Sequence, residues 1–330
     1  MNLSNVLVTG ANGQLGSELR SLIQHPTSSI QHHNFYFTDR NELDITDRQA
    51  IEDFCTQYQI KIILNCAAYT TVDNAENDKE NADRVNHLAV KYLAEIAKVN
   101  NIKLIHISTD YVFDGKNYRP YVETDETNPQ SVYGASKLAG EKALMEINPP
   151  GAIIIRTSWV YSSFGNNFVK TMLRLGKERD ELGVIFDQVG TPTYARDLAE
   201  TILKIVSGYR EQDMGYRGQD IADRMKDSSG EDIDTISNIP FPTSNVEIYH
   251  YSNEGVASWY DFAKAIFELS NIDYRVRPIE TKEYPTPATR PYYSLLNKAK
   301  IKKDFNITIP YWKESLQICL QRILDNEDRI

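Results

Sequence analysis

The sequence predicts an α/β fold, a doubly wound parallel sheet with a second, smaller lobe. Three observations predict it. Short apolar runs alternate with amphipathic stretches from Asn5 to Arg156, as parallel strands joined by crossover helices do. Glycines at 10, 13 and 16 stand between the first apolar run and the first amphipathic one. Residues able to do chemistry fall just after the ends of the strand-like runs, where open sheets of this kind bind ligands.

The first strand is Val6-Leu7-Val8, followed by Thr9-Gly10-Ala11-Asn12-Gly13-Gln14-Leu15-Gly16. Glycines let the backbone turn tightly and approach a pyrophosphate, and the free N–H groups of the next helix face that anion. With a strand before and a helix after, this is a Rossmann-type dinucleotide site. The second strand, Asn34–Phe37, ends at Asp39-Arg40. An acid here binds the adenosine ribose, whereas a neighbouring Arg accepts a 2′-phosphate, so the pair leaves NAD and NADP both open. Asp44 and Ile45 follow, and Asp47 reads as the N-cap of a helix through Tyr58. The third strand, Lys61–Leu64, leads into Asn65-Cys66-Ala67-Ala68-Tyr69-Thr70, whose small residues let a cofactor lie close to the backbone. A long helix from about Glu80 to Val99 carries apolar residues at helical spacing. The fourth strand, Ile102–Ile107, runs into Ser108-Thr109-Asp110-Tyr111, and the fifth, Ala152–Arg156, ends at Thr157-Ser158-Trp159.

A helix starting near Tyr133 places Tyr133 and Lys137 one turn apart on one face. A free phenol has a pKa of about 10 and an adjacent ammonium lowers it. Such a tyrosine can give a proton to a carbonyl oxygen, and the Thr109 hydroxyl could hold the same oxygen.

The pattern then loosens. Helix Phe168–Lys177, strand Val184–Phe186, helix Ala195–Ser207 and strand Val246–Tyr249 could still belong to the sheet. Ser258 reads as the N-cap of helix Trp259–Leu269, and a last helix spans about Lys313 to Leu324. This divides the chain into a dinucleotide-binding domain (1–157, with about 184–208 and 246–252) and a substrate lobe (158–183 and 253–330). The stretch from Arg210 to Asn245 holds eight acidic and four basic residues without periodicity and reads as an inserted loop.

Composition excludes other classes. Net charge is -10 with no Lys/Arg run, so the footprint of a nucleic-acid partner is missing. No apolar run is long enough to span a bilayer, and the N-terminus carries no signal-peptide pattern. Cys55, Cys66 and Cys319 are scattered and read as reduced thiols of a cytoplasmic protein. The six His residues show no metal-ligand spacing; His106, in an apolar run, reads as a core residue.

The glycine loop, Asn65–Ala68, Ser108–Asp110 and Tyr133/Lys137 together resemble the extended short-chain dehydrogenase/reductase family. Ser108–Phe113, Arg156–Tyr161, Gly165–Phe168, Asp187-Gln188 with Thr191–Thr193, and Tyr284–Pro287 with Arg290-Pro291 narrow the resemblance to its dTDP-4-dehydrorhamnose reductase branch. The resemblance implies reduction of the 4-keto group of dTDP-4-dehydro-L-rhamnose by NADPH or NADH, giving a sugar donor for cell-surface polysaccharide. It implies Tyr133 as proton donor, Lys137 as the group that lowers its pKa and holds the nicotinamide ribose, and Thr109 as positioner of the carbonyl. Gly10, Asn12, Gly13, Gln14, Leu15, Gly16, Asp39, Arg40, Asp44, Ile45, Ala67, Ala68 and Tyr69 form the cofactor set with Tyr133 and Lys137. Thr70, Asp73, Thr109, Asp110, Tyr111 and Trp159 would line the sugar site, Trp159 covering its apolar face, and Asn167 and Arg290 would take the diphosphate. Some relatives dimerise around Mg²⁺. Glu18 matches one of their acids, but Arg196 and Lys298-Ala299 stand at other positions, so no metal is expected, and a monomer or homodimer fits. Alternatives are another nucleotide-sugar reductase or epimerase, or a non-catalytic NADP-binding subunit like the regulatory subunit of methionine adenosyltransferase.

Overall fold

The computed structural model describes residues 4–24, 33–208 and 245–327. Its first half alternates strand and helix: β1 (Ser4–Thr9), α1 (Gln14–Gln24), β2 (His33–Thr38), α2 (Arg48–Gln57), β3 (Ile60–Asn65) and the short α3 (Val72–Ala75). Asp47 caps α2 by accepting hydrogen bonds from the N–H groups of Gln49 and Ala50. The helix expected from Glu80 to Val99 is α4 (Lys79–Asp83), a π-helical turn (Arg84–Leu88) and α5 (Ala89–Val99) in unbroken succession. Then come β4 (Lys103–Thr109), α6 (Val132–Ile147) and β5 (Ile153–Thr157). Ser131 caps α6.

After β5 the elements shorten: β6 (Val160–Tyr161), α7 (Phe168–Glu178), β7 (Glu181–Ile185), β8 (Val189–Gly190), β9 (Thr193–Tyr194), α8 (Ala195–Ser207) and β10 (Glu247–Tyr251). The chain ends with β11 (Ala257–Ser258), α9 (Trp259–Leu269), β12 (Arg275–Ile279), α10 (Ala299–Phe305) and α11 (Trp312–Glu327). Except for Asn245, the insertion expected at 210–245 lies outside the described residues.

One parallel sheet of six strands, in the order β10-β5-β4-β3-β1-β2, organises the molecule. Successive strand residues point to opposite faces, and both faces are covered. Val6, Val8, Leu64, Ile105 and Ile155 pack with Leu19 of α1 and Leu198 and Ile202 of α8. Their neighbours Leu7, Ile63, Leu104 and Ile154 pack with Ile51 of α2 and Leu93 and Ala97 of α5. The chain reverses its direction of travel across the sheet between β1 and β3, and a ligand crevice opens at that switch point outside the carboxyl ends of the strands.

Two expectations need correction. The strand at 184–186 does not extend the main sheet; β7 pairs in parallel with β12 in a separate two-stranded sheet. Val184 and Val276 lie in the core shared by α7, α9 and α11, so burial draws this strand into the smaller lobe. Conversely, the 299–309 stretch, expected in that lobe, places Ile301, Phe305 and Ile309 in the core of the main sheet with Tyr249 and Tyr251.

Candidate active site

The turn after β1 is built for close approach. Gly10 has φ of +66°, and a Cβ there would meet the Ala67 backbone N at 2.7 Å. A Cβ on Gly16 would meet the Gly10 carbonyl oxygen at 2.5 Å, so both positions demand glycine. Above this turn runs a cleft of about 860 Å³, lined by every candidate residue except Gly16, Asp73 and Arg290. At one end, Asp39 accepts hydrogen bonds from Asn12 Nδ2 at 2.7 Å and from the N–H groups of Asn41 and Glu42. Arg40 extends beside it with three-quarters of its side chain exposed, its Nε 3.7 Å from Asp44. Burial pushes the Asp44 carboxyl up, but hydrogen bonds from Thr46 and the Arg40 charge outweigh it and hold it below the usual value.

At the other end lie Thr109, Tyr133 and Lys137, drawn together by the end of β4 and the first turns of α6. The Thr109 hydroxyl donates to Asp110 Oδ1 at 3.0 Å and accepts from the Tyr111 N–H. Tyr111 packs edge-on to Tyr133 with ring centroids 5.5 Å apart. Burial pushes the Tyr133 phenol up to about 12, opposed by its hydrogen bond with Thr109 and reinforced by the Asp110 charge. The expected lowering by Lys137 is not seen. The ammonium donates to the Ile107 carbonyl at 2.7 Å and lies 3.3 Å from His106 Nε2, and burial governs the phenol. Burial also draws Lys137 down to about 8, against the pull of Glu141 and Cys66. Asp110 is pushed up to about 7 by burial. Its Oδ2 is without a close hydrogen-bond partner among the described residues, although the nearby Ser294 hydroxyl favours its charged form.

Other candidates land differently. Trp159 and Thr70 line the cleft. Asn167 also lines it, but its amide is already engaged: Oδ1 caps α7 at the Lys170 N–H, and Nδ2 donates to Gln14 Oε1 and the Ser162 carbonyl. Arg290, expected at the diphosphate, is paired bidentately with Asp73 at 3.0 and 2.7 Å. The two opposite charges sit beside the cleft and satisfy each other. Glu18 has no exposure and is bound by Arg322 at 2.8 Å and the Ser162 hydroxyl at 2.7 Å, with Arg196 at 3.6 Å.

Several working residues escaped sequence reasoning. Asn86, in the π-helical turn, pairs with both the N–H and the carbonyl of Tyr69 and donates to Ser136 Oγ, tying the 66–70 loop to α6. Glu141 of α6 takes a bidentate Arg156 and the Ser108 hydroxyl beneath the catalytic strands. His106 is buried as expected but also meets Asn65 Nδ2 at 3.0 Å and Lys137. Only the long-range pairing of β3, β4 and α6 makes these neighbours.

The residues present fit a dinucleotide: Gly10 precedes the N-terminus of α1 and Gly16 lies in its first turn, neither with room for a Cβ, and Asp39 and Arg40 line the cleft just past the end of β2. Among the described residues no group of acidic, His or Cys side chains could hold a metal ion, and no helix is long and apolar enough to cross a membrane.

Comparison with known proteins agrees with this geometry. Residues 4–218 and 220–324 match the family described as the RmlD substrate binding domain. A dTDP-4-dehydrorhamnose reductase of Aggregatibacter actinomycetemcomitans is 39% identical, over 96% of this chain and 98% of that protein. A spore coat polysaccharide biosynthesis protein, SpsK, of Bacillus subtilis is 36% identical, over 97% and 98%. The crystal structure of a Bacillus anthracis dTDP-4-dehydrorhamnose reductase in complex with NADP is 35% identical, covers 97% of this chain and 99% of that one, and superposes with a TM-score of 0.80. With nearly its whole length matched by the family model and by these relatives, this chain belongs to the dTDP-4-dehydrorhamnose reductase family.

Proposed function

We propose that the chain catalyses NAD(P)H-dependent reduction of the 4-keto group of dTDP-4-dehydro-L-rhamnose to dTDP-L-rhamnose, a step of nucleotide-sugar biosynthesis that supplies polysaccharide assembly. The observation that carries this reading is the convergence of Thr109, Tyr133 and Lys137 at the end of the cleft away from Asp39 and Arg40. The nicotinamide cofactor, when bound, supplies the hydride. The rest falls to side chains. The Thr109 and Tyr133 hydroxyls hold the carbonyl oxygen, polarising it and fixing its distance. A phenol at about 12 is fully protonated at neutral pH, the form that reduction requires. As the oxygen takes on charge it becomes the stronger base and receives the Tyr133 proton. The Thr109 hydrogen bond favours the buried phenolate left behind, and Lys137 would hold the ribose of the bound nicotinamide beside it. Trp159 covers the apolar face of the sugar, and Tyr111 and Asp110 complete that wall. The free cysteines fit a reducing compartment, and we place the reaction in the cytoplasm.

The test is turnover of the keto sugar with NADPH, followed by cofactor absorbance, in wild type and Tyr133→Phe. Phe keeps the ring and deletes the proton, so kcat should fall roughly 10²–10⁴-fold while NADPH still binds. A variant within about threefold of wild type would remove Tyr133 from the chemistry. A wild type with no turnover would favour a non-catalytic NADP-binding role.

A further inference from the structure

We infer that Trp259 is a positioning residue for the sugar side of the cleft: it holds Trp159 in place as the cleft's apolar wall. The inference rests on the function proposed above and adds a residue outside the cleft lining to it.

Trp159 lies just beyond β5 with φ of +48°, a left-handed conformation that bulky residues rarely adopt and that persists only where the surroundings impose it. Those surroundings are visible around the ring. The indole of Trp259 is stacked on it, with ring centroids 3.7 Å apart and planes within 12°. Phe168 packs behind Trp259 at 4.8 Å. Gly190 lies close against the same ring: a Cβ there would stand 2.9 Å from Trp159 Cε2 and 2.5 Å from Ser294 Oγ. Antiparallel pairing of β8 with β11 sets Gly190 opposite Ala257. Ser258 and Asp261 close a capping box that fixes Trp259 as the first residue of α9. The Trp159 carbonyl accepts a hydrogen bond from the Thr193 N–H at 3.1 Å. The smaller lobe therefore supplies a rigid seat for an indole that stands just beyond the end of β5. Trp159 lines the cleft beside Thr109 and Asp110 and Trp259 does not, so Trp259 acts on a ligand only through its neighbour.

The experiment uses the full chain with Trp259→Leu, Trp259→Phe and Gly190→Ala. The chain contains three tryptophans, and Trp312 packs against Phe262 and Tyr311. A far-ultraviolet exciton couplet in circular dichroism thus reports the stacked pair. Trp259→Leu should abolish the couplet and raise the KM for dTDP-4-dehydro-L-rhamnose roughly three- to tenfold, the worth of an aromatic pair, with the NADPH KM unchanged. Trp259→Phe, which restores a flat ring, should return the sugar KM to within about twofold of wild type. Gly190→Ala in a Ser294→Ala background, compared with Ser294→Ala alone, crowds Trp159 without the clash at Ser294 Oγ and should also raise the sugar KM alone; it decides the matter if Trp259→Leu does not fold. An unchanged sugar KM with the couplet gone would overturn the inference, as would equal rises for sugar and cofactor. Absence of turnover in the wild type would instead sink the proposed reaction, and the couplet, lost in both Trp159→Phe and Trp259→Leu or in neither, would still decide whether the pair exists.

Discussion

At the scale of single residues, exposure separates those that can meet a ligand from those already committed within the protein. Among the described residues Arg40 has a single ion-pair contact, 3.7 Å to Asp44, which leaves its guanidinium open to a 2′-phosphate. Arg40→Ala should raise the NADPH KM roughly 10- to 100-fold, the worth of a charge-assisted contact, and leave NADH nearly unaffected; equal effects on both would make Arg40 a bystander. Arg290 differs, because Asp73 fills its fork. Asp110 shows the pH consequence of burial. Its folded pKa of about 7 lies above an unfolded value of about 3.9, so folding favours the protonated form. The stability this contributes is present below about pH 4 and lost as pH rises toward 7. Asp110→Asn stays neutral, so its urea midpoint should gain on wild type across that window and level off above it. A constant difference at every pH would contradict the assignment.

At the scale of elements, the π-helical turn at Arg84–Leu88 aims one side chain across a gap between two site segments. Asn86 pairs with both backbone groups of Tyr69 and with Ser136 of α6, so a single residue registers the cofactor-side loop against the helix bearing Tyr133. Asn86→Ala leaves those groups without partners and should cost about 1–3 kcal/mol. The predicted signature is a lower urea midpoint together with a higher cofactor KM. A loss of stability without any change in KM would confine Asn86 to a packing role. Amphipathic periodicity made the helix from Glu80 to Val99 legible, since Leu93 and Ile96 face the core. The extra residue of a π turn leaves no such trace, because it shifts side chains by one position without altering their hydrophobicity.

At the scale of the whole molecule, the two lobes are joined through Glu18. This acid on α1, one turn past the glycine cradle, receives Arg322 from α11 and Ser162 from the segment after β6. Arg322→Met would leave a carboxylate with no exposure facing Arg196 at 3.6 Å and the Ser162 hydroxyl at 2.7 Å, and breaking such a pair should cost about 3 kcal/mol. Combining it with Glu18→Gln should restore most of that loss in urea unfolding, because the buried charge itself is gone. If the double variant is no more stable than Arg322→Met alone, the pair does not join the lobes energetically.

What the sequence alone determined is local and periodic. Strand–helix alternation, the glycines at 10, 13 and 16, the caps at Asp47 and Ser258, and the one-turn spacing of Tyr133 and Lys137 all follow from residue types at short separations, where backbone sterics and side-chain periodicity act. The strand at 184 misled because a short apolar run looks the same in either sheet; only its partner β12 assigns it to the smaller lobe. The partners of Arg290, Glu18 and Trp159 are separated from them by long stretches of chain. Which charge meets which, and which ring stacks on which, depends on how the sheet order and lobe docking bring distant segments into contact. The state of the Tyr133 phenol belongs to the same level. The Lys137 spacing pointed downward, but burial depth, a property of the packed molecule, pushes it up.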